Sequence, residues 1–306
     1  MKYNIFPNTQ EKVSAIGLGT WVFGGENWGG ADDAQCAAAV GEALASGMNL
    51  IDTAPFYTDG LSEKIIGQAL KGRRDKAFIA TKCGIIRENG RIRHDLRPAS
   101  IMAECDQSLK RLQCDVIDLY ICHWPDPAVA IEQTMGTLLK LRDQKKIRHI
   151  GVSNFDLELL KKACAAAPVS AYQGQYSILE RGMEKEILPF CREKGIGVMA
   201  YGAMGGGILT GKYKNRPPLT KKDARHMFYE FFEEIRFKKV IQGVEDLKKM
   251  GHPMNQLALN WVRQQSGVMT ALAGCRSAEQ VRANVAAADW NLSAEELEKI
   301  RAAVFV

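Results

Sequence analysis

Short apolar runs rich in β-branched residues alternate along the chain with longer segments whose apolar residues recur every three to four positions. The runs are SAIGLGTW (14–21), NLIDTA (49–54), AFIATK (77–82), VIDLYICH (116–123), IRHIGVSN (147–154), SAYQGQY (170–176), GIGVMAYG (195–202) and MTALAG (269–274). Between them lie helix-patterned stretches such as DDAQCAAAVGEALASG, SEKIIGQALKG, RPASIMAECDQSLKRL, AIEQTMGTLLKLRDQ, DLELLKKACAA and MEKEILPFCREKG. Pro98 suits a first helical turn, and Gly47, Gly72 and Gly195 suit helix ends. Regular strand–helix alternation predicts a parallel sheet.

Eight such units predict a closed α/β barrel, the (β/α)8 or TIM barrel, as one domain over residues 1–306. An open dinucleotide-binding sheet would carry GxGxxG after its first strand, and GLGTWVFGG lacks the third glycine in register. Two segments stand outside the repeat. Residues 203–231 form a basic and aromatic insert after the seventh strand, and LSAEELEKIRAAV carries a Ser293 to Glu296 capping box that predicts one extra C-terminal helix.

Composition narrows the function classes. The apolar fraction of 46% and charged fraction of 25% are ordinary for a globular protein. The net charge of +6 is scattered, with one dense basic run at KYKNRPPLTKK (212–222), which argues against a nucleic-acid surface. Eight cysteines include no CxxC and no zinc-spaced Cys/His cluster, so no metal site is expected and a reducing compartment is. MKYNIFPNTQEK has no hydrophobic signal core and no run approaches the length of a membrane span, so a cytoplasmic protein without a membrane partner is expected.

In a parallel barrel the active site lies at the carboxyl ends of the strands. Asp52, Lys82 and His123 end the second, third and fourth apolar runs, and Tyr57 follows the second. Singly, each is an ordinary cap, solvated charge or core group. Together they make chemical sense. An ammonium beside a phenol lowers its proton affinity, a carboxylate holds that ammonium charged, and an imidazole N–H can meet an oxygen gaining negative charge. The set is suited to delivering a proton to a carbonyl under reduction.

The chain resembles the aldo-keto reductase superfamily. The resemblance rests on GLGTW, IDTAPFY with GLSEKIIG behind it, IATK, IDLYICHWPD, IRHIGVSNF, YQGQYSILER, GGILTGKY and AGCRSAEQVRANVAAADW. It implies an NAD(P)H-dependent carbonyl reductase with Asp52, Tyr57, Lys82 and His123 as catalytic tetrad and Tyr57 as general acid. It also implies cofactor contacts at Gly19, Thr20, Trp21 and Asp52. Ser153, Asn154 and Gln173 would hold the nicotinamide carboxamide, with Tyr201 stacked on the ring and Gly202 beside it. Helix capping is another use for Ser153 and Asn154. Met204, Gly205, Gly207, Leu209 and Lys212 would surround the pyrophosphate, as backbone N–H groups of the MGGG loop could. Gly274, Arg276, Gln280 and Asn284 would take the adenosine end. Arg276 favours NADPH, with NADH also possible, because a guanidinium can fork onto the extra phosphate.

Trp21, Phe23, Trp28, Phe56 and Trp124 are expected to line the substrate pocket, with Met204, Met227 and Phe228 from the insert. The partner is then a small carbonyl compound, and no oligomeric state is legible. Thr58 and Gly202 depart from the Gly and Ser common in the family. A nucleotide-binding sensor on the same barrel and a Schiff-base aldolase using Lys82 are the competing readings.

Overall fold

The computed structural model describes residues 1–25, 28–88 and 90–303. Its strands are β1 (Tyr3–Ile5), β2 (Lys12–Ser14), β3 (Ile16–Gly19), β4 (Leu50–Asp52), β5 (Phe78–Cys83), β6 (Ile85–Glu88), β7 (Arg91–His94), β8 (Ile117–Cys122), β9 (Ile147–Ser153), β10 (Ala171–Gln175), β11 (Gly197–Tyr201) and β12 (Val268–Gly274). Eight of them, β3, β4, β5, β8, β9, β10, β11 and β12, close a barrel of parallel neighbours. These are the eight expected runs. Closure occurs where Gly274 of β12 meets Gly19 of β3.

The helices are α1 (Asp33–Ala45), α2 (Leu61–Ala69), α3 (Pro98–Leu112), α4 (Ile131–Asp143), α5 (Leu157–Ala166), α6 (Ile187–Lys194), α7 (Ala224–Phe228), α8 (Glu234–Lys248), α9 (Met254–Arg263), α10 (Ala278–Val285) and α11 (Ala294–Ala302). Local chemistry sets their ends. Asp32 and Asp156 accept from Gln35 N and Leu159 N, Pro98 opens α3, and Gly195 ends α6 with φ +65°. The Ser293–Glu296 capping box opens α11 as expected.

Parity along the strands separates two apolar layers. Leu50, Phe78, Ala80, Leu119, Ile121, Ala171, Met199, Met269 and Leu272 fill the barrel interior with Phe6 and Val13. The residues between them pack outward against the helices. The β1–β2 hairpin covers one end of the barrel: Phe6 is fully buried, with its ring 4.8 Å from Phe78 and 4.7 Å from His149.

The inward columns position the site. Two residues beyond an interior apolar or small residue stands a polar one at the strand's carboxyl end: Leu50 then Asp52, Ala80 then Lys82, Ile121 then His123, Gly151 then Ser153, Ala171 then Gln173, Met199 then Tyr201. A period of two carries each column from the core into the site.

Three parts of the fold were not anticipated. The β1–β2 hairpin and the β6–β7 hairpin are antiparallel additions to the repeat. The long insert is partly helical, with α7 and a short 3-10 segment at Gly205–Thr210, and α8 follows it.

Candidate functional site

Lys82 and Asp52 form the centre. Lys82 is fully buried, and its Nζ donates to Asp52 Oδ1 and Oδ2 at 2.9 Å each, to the Thr53 carbonyl at 2.8 Å and to Tyr57 Oη at 3.0 Å. Three ammonium hydrogens serve the carboxylate, the carbonyl and the phenol. Because Tyr57 Oη accepts from Lys82, its own hydrogen is directed elsewhere. Gln173 Nε2 adds a bond of 2.7 Å to Asp52 Oδ1.

The His123 ring stands edge-on to Tyr57 with centroids 5.9 Å apart. The four expected catalytic side chains therefore come together in one place. Burial, followed by the charges of Lys82 and His94, pushes the His123 proton affinity well below the usual imidazole range. The ring is neutral and can donate an N–H without carrying charge.

One electrostatic expectation is corrected. Burial raises the Tyr57 hydroxyl well above the ordinary phenol value, and the negative charge of Asp52 pushes it the same way. Lys82 does not bring it down, because its charge is offset by Asp52 and desolvation lowers its own affinity for a proton. Tyr57 is thus held as the neutral, proton-bearing phenol.

Behind these groups lies a buried hydroxyl chain that sequence reasoning missed. Ser62 Oγ is 2.7 Å from Thr20 Oγ1 and 2.9 Å from Thr53 Oγ1, and Thr20 Oγ1 donates to the Asp52 carbonyl at 2.8 Å. It ties the ends of β3 and β4 to α2. Next to it, fully buried Glu63 accepts from Thr81 and from Arg111, both at 2.6 Å. The signal was the GLSE stretch, whose small hydroxyl and acid precede an apolar helix face.

The amides on β9 and β10 adjoin this centre. Asn154 Nδ2 donates to the His123 carbonyl and to Ser153 Oγ, both at 3.0 Å, and Tyr201 Oη donates to Asn154 Oδ1 at 2.9 Å. Neither Ser153 nor Asn154 caps α5, since Asp156 does so.

The glycine run Gly205, Gly206 and Gly207 has φ values of +56°, +60° and +94°, backbone that side-chain-bearing residues seldom adopt. Tyr229 and Arg225 of the insert pack where a Gly206 Cβ would stand, and Lys212 Nζ lies 3.4 Å from that position on Gly207. Gly202 has φ +70°, and a side chain there would meet Tyr229 Oη at 3.1 Å. This accounts for glycine in place of the family's serine.

After the neighbouring strand β12, Arg276 Nη1 donates to the carbonyls of Trp28, at 3.3 Å, and Gly30. Gln280 Oε1 accepts from Arg276 N at 2.8 Å, while Ser277 caps α10. Gln280 thus reaches one residue further back than a capping box requires. Gly274 is exposed at the end of β12 beside Gly19.

Trp21 is the hub of the aromatic wall. Its ring stacks 6.1 Å from Tyr57 and meets Trp28 and Phe228 edge-on at 5.2 Å each. Trp124 stacks on His94 at 6.3 Å, and Phe56 lies under the Arg87 guanidinium at 5.6 Å. Met204 is half-buried and Met227 is 52% exposed.

Four of the expected site residues have side chains that are buried or already engaged within the protein. Phe23 and Leu209 are fully buried in the outer core, where their apolar side chains gain most from leaving water, and present no pocket surface. The Thr20 hydroxyl is committed to the chain described above. The Asn284 amide donates to Cys275 Sγ at 3.2 Å and accepts from Asn255 at 2.8 Å, so both of its ends are engaged.

A sequence profile described as the Aldo/keto reductase family matches residues 15–304. The chain is 39% identical to aldo-keto reductase YhdN of Bacillus subtilis over 98% of its length and 92% of that protein. It is 37% identical to the NADH-specific methylglyoxal reductase of Escherichia coli over 93% of each. Among solved structures it superimposes on a glycerol dehydrogenase of Gluconobacter oxydans with TM-score 0.89 and 36% identity, covering 97% and 93% of the two chains. An aldo-keto reductase of Klebsiella pneumoniae in complex with NADPH gives TM-score 0.76 and 30% identity, covering 98% and 94%. The chain belongs to the aldo/keto reductase family.

Proposed function

We propose that this aldo/keto reductase reduces aldehydes or ketones to alcohols, with NADPH as preferred hydride source, NADH as a second one, and Tyr57 as the proton donor. The observation that carries the reading is the single lysine nitrogen bonded at once to a carboxylate, a main-chain carbonyl and a phenol. A Schiff-base lysine would need a free amine, and here the nitrogen is held as an ammonium.

The residues present fit a dinucleotide. The left-handed glycine run with Lys212 suits a diphosphate, the N-terminus of α10 with Arg276 suits a further phosphate, and the amides of Asn154 and Gln173 suit a carboxamide. When bound, the nicotinamide supplies the hydride. The protein does the rest. The neutral His123 ring and the Tyr57 hydroxyl meet the carbonyl oxygen, Tyr57 gives it a proton, and the Lys82 ammonium stabilises the phenoxide left behind. Trp21, Trp28 and Phe228 exclude water from one side and favour substrates with apolar parts.

NADPH preference is supported by Arg276 and by the Klebsiella relative's complex, and use of NADH by the NADH-specific Escherichia relative. Among the described residues no helix is long and apolar enough to cross a membrane. The eight cysteines are unpaired, which supports work in a reducing cytoplasm. The protein acts there as one barrel domain over residues 1–306, on a small carbonyl compound rather than on nucleic acid or a membrane.

The test is a fluorescence titration with NADPH and NADH, followed by NADPH oxidation against a panel of aldehydes and ketones. Binding with turnover is the expected result. Binding without turnover on any carbonyl would favour a nucleotide sensor, and no binding would overturn the reading.

A further inference from the structure

A ring that only stacks on a nicotinamide needs no hydroxyl, yet Tyr201 carries one, and it is used. Tyr201 Oη donates to Asn154 Oδ1 at 2.9 Å. Asn154 is held in the left-handed region with φ +61°, where asparagine is tolerated but not favoured. Its main-chain N–H donates to the Gln173 carbonyl at 3.2 Å. Its amide nitrogen donates to the His123 carbonyl and to Ser153 Oγ.

The carbonyl of His123 accepts only, so the amide nitrogen must face it and Oδ1 must face Tyr201. Burial raises the Tyr201 hydroxyl above the ordinary phenol value, so it stays a donor at all working pH. Both amide hydrogens of Asn154 are thereby occupied. What remains for a ligand is the second lone pair of Oδ1, which recognises an N–H donor.

We infer that the Tyr201 hydroxyl is a positioning group that orients Asn154 Oδ1 toward a ligand N–H, so that the site distinguishes a carboxamide from a ring substituent lacking that N–H. The inference rests on the nicotinamide reading above. It separates two contributions of one residue, the ring face and the hydroxyl.

The experiment compares NADP+ with its 3-acetylpyridine analogue, in which a methyl group replaces the carboxamide nitrogen, by fluorescence titration of the wild type and of Tyr201→Phe. The ring is kept in the variant and only the hydroxyl is lost. Tyr201→Phe is expected to weaken NADP+ roughly three- to tenfold, as loss of one hydrogen-bond partner should, while the analogue changes less than about twofold. Equal weakening of both nucleotides would assign the hydroxyl a general structural role and overturn the inference. No change for either would overturn it as well. Wild-type protein that binds neither nucleotide would remove the cofactor reading and this inference with it, whereas tight binding of both, untouched by the variant, would sink the inference alone.

Discussion

Lys82 Nζ lies 3.0 Å from Tyr57 Oη and donates to it, which turns the phenolic hydrogen away from the lysine and toward whatever occupies the mouth of the barrel. Replacing Tyr57 by Phe keeps the ring packed against Trp21 and removes only the transferable proton. Carbonyl reduction should fall by about 10²-fold or more, the usual contribution of a positioned proton donor, with NADPH affinity unchanged within about twofold. Steady-state kinetics beside a binding titration checks both halves.

Lys82 and Asp52 are a buried ion pair, and removing one member leaves an uncompensated charge. Lys82→Met should destabilise the fold by about 3–5 kcal/mol, and the double variant Lys82→Met, Asp52→Leu should recover part of that loss. Urea unfolding of the two proteins decides it. A double variant no more stable than the single one would show that the cost lies in packing and not in charge.

The proton positions fix a pH profile. Tyr57 is held well above the ordinary phenol value and His123 well below the ordinary imidazole value, so neither changes state between about pH 6 and 9. Reduction limited by proton transfer should be flat over that range. Oxidation of the alcohol needs the phenoxide and should climb toward high pH. Rates of both directions measured across the range check this, and a reduction rate that drops near pH 7 would contradict it.

Glu104 on α3 is mostly buried and accepts from Gly84 N at 3.0 Å, and desolvation raises its carboxyl to about 7. A carboxyl whose affinity for the proton is higher folded than unfolded weakens the fold as pH rises from about 4.5 through 7. Below that window there is no penalty. Glu104→Gln keeps the acceptor and removes the titration, so its stability advantage over the wild type should grow from near zero at pH 4.5 to at most about 3 kcal/mol at pH 8. Urea midpoints at the two pH values measure it.

Arg276 is tied to the carbonyls of Trp28 and Gly30 in this structure. A phosphate is a stronger partner for a guanidinium than two neutral carbonyls. Arg276→Ala should therefore weaken NADPH by about tenfold or more and NADH only slightly. Equal effects in parallel titrations would show that Arg276 serves the loop alone.

The barrel was legible because its eight strands are buried on both sides and read as uninterrupted apolar runs. The site was legible for a related reason: Asp52, Lys82 and His123 interrupt those runs at their carboxyl ends. Ser153, Gln173 and Tyr201 obey the same two-residue step beyond Gly151, Ala171 and Met199, so the column rule alone would have found them. What could not be read is set by contacts between distant segments. The Asn284 amide serves Cys275 and Asn255, Phe23 turns into the core, and Tyr229 packs on Gly202 and Gly206 across more than twenty residues of chain. The Tyr57 shift could not be read because its largest cause is burial, which the sequence does not spell out for a loop residue.

The Phe6 plug gives the barrel the character of a cup with one opening. Below Lys82 the interior includes an apolar layer of Leu50, Phe78, Ala80, Leu119 and Ile121. That layer separates the Lys82 and Tyr57 site from the plugged end. The barrel is thus supported from one end and open to small molecules at the carboxyl ends of its strands, where the site lies.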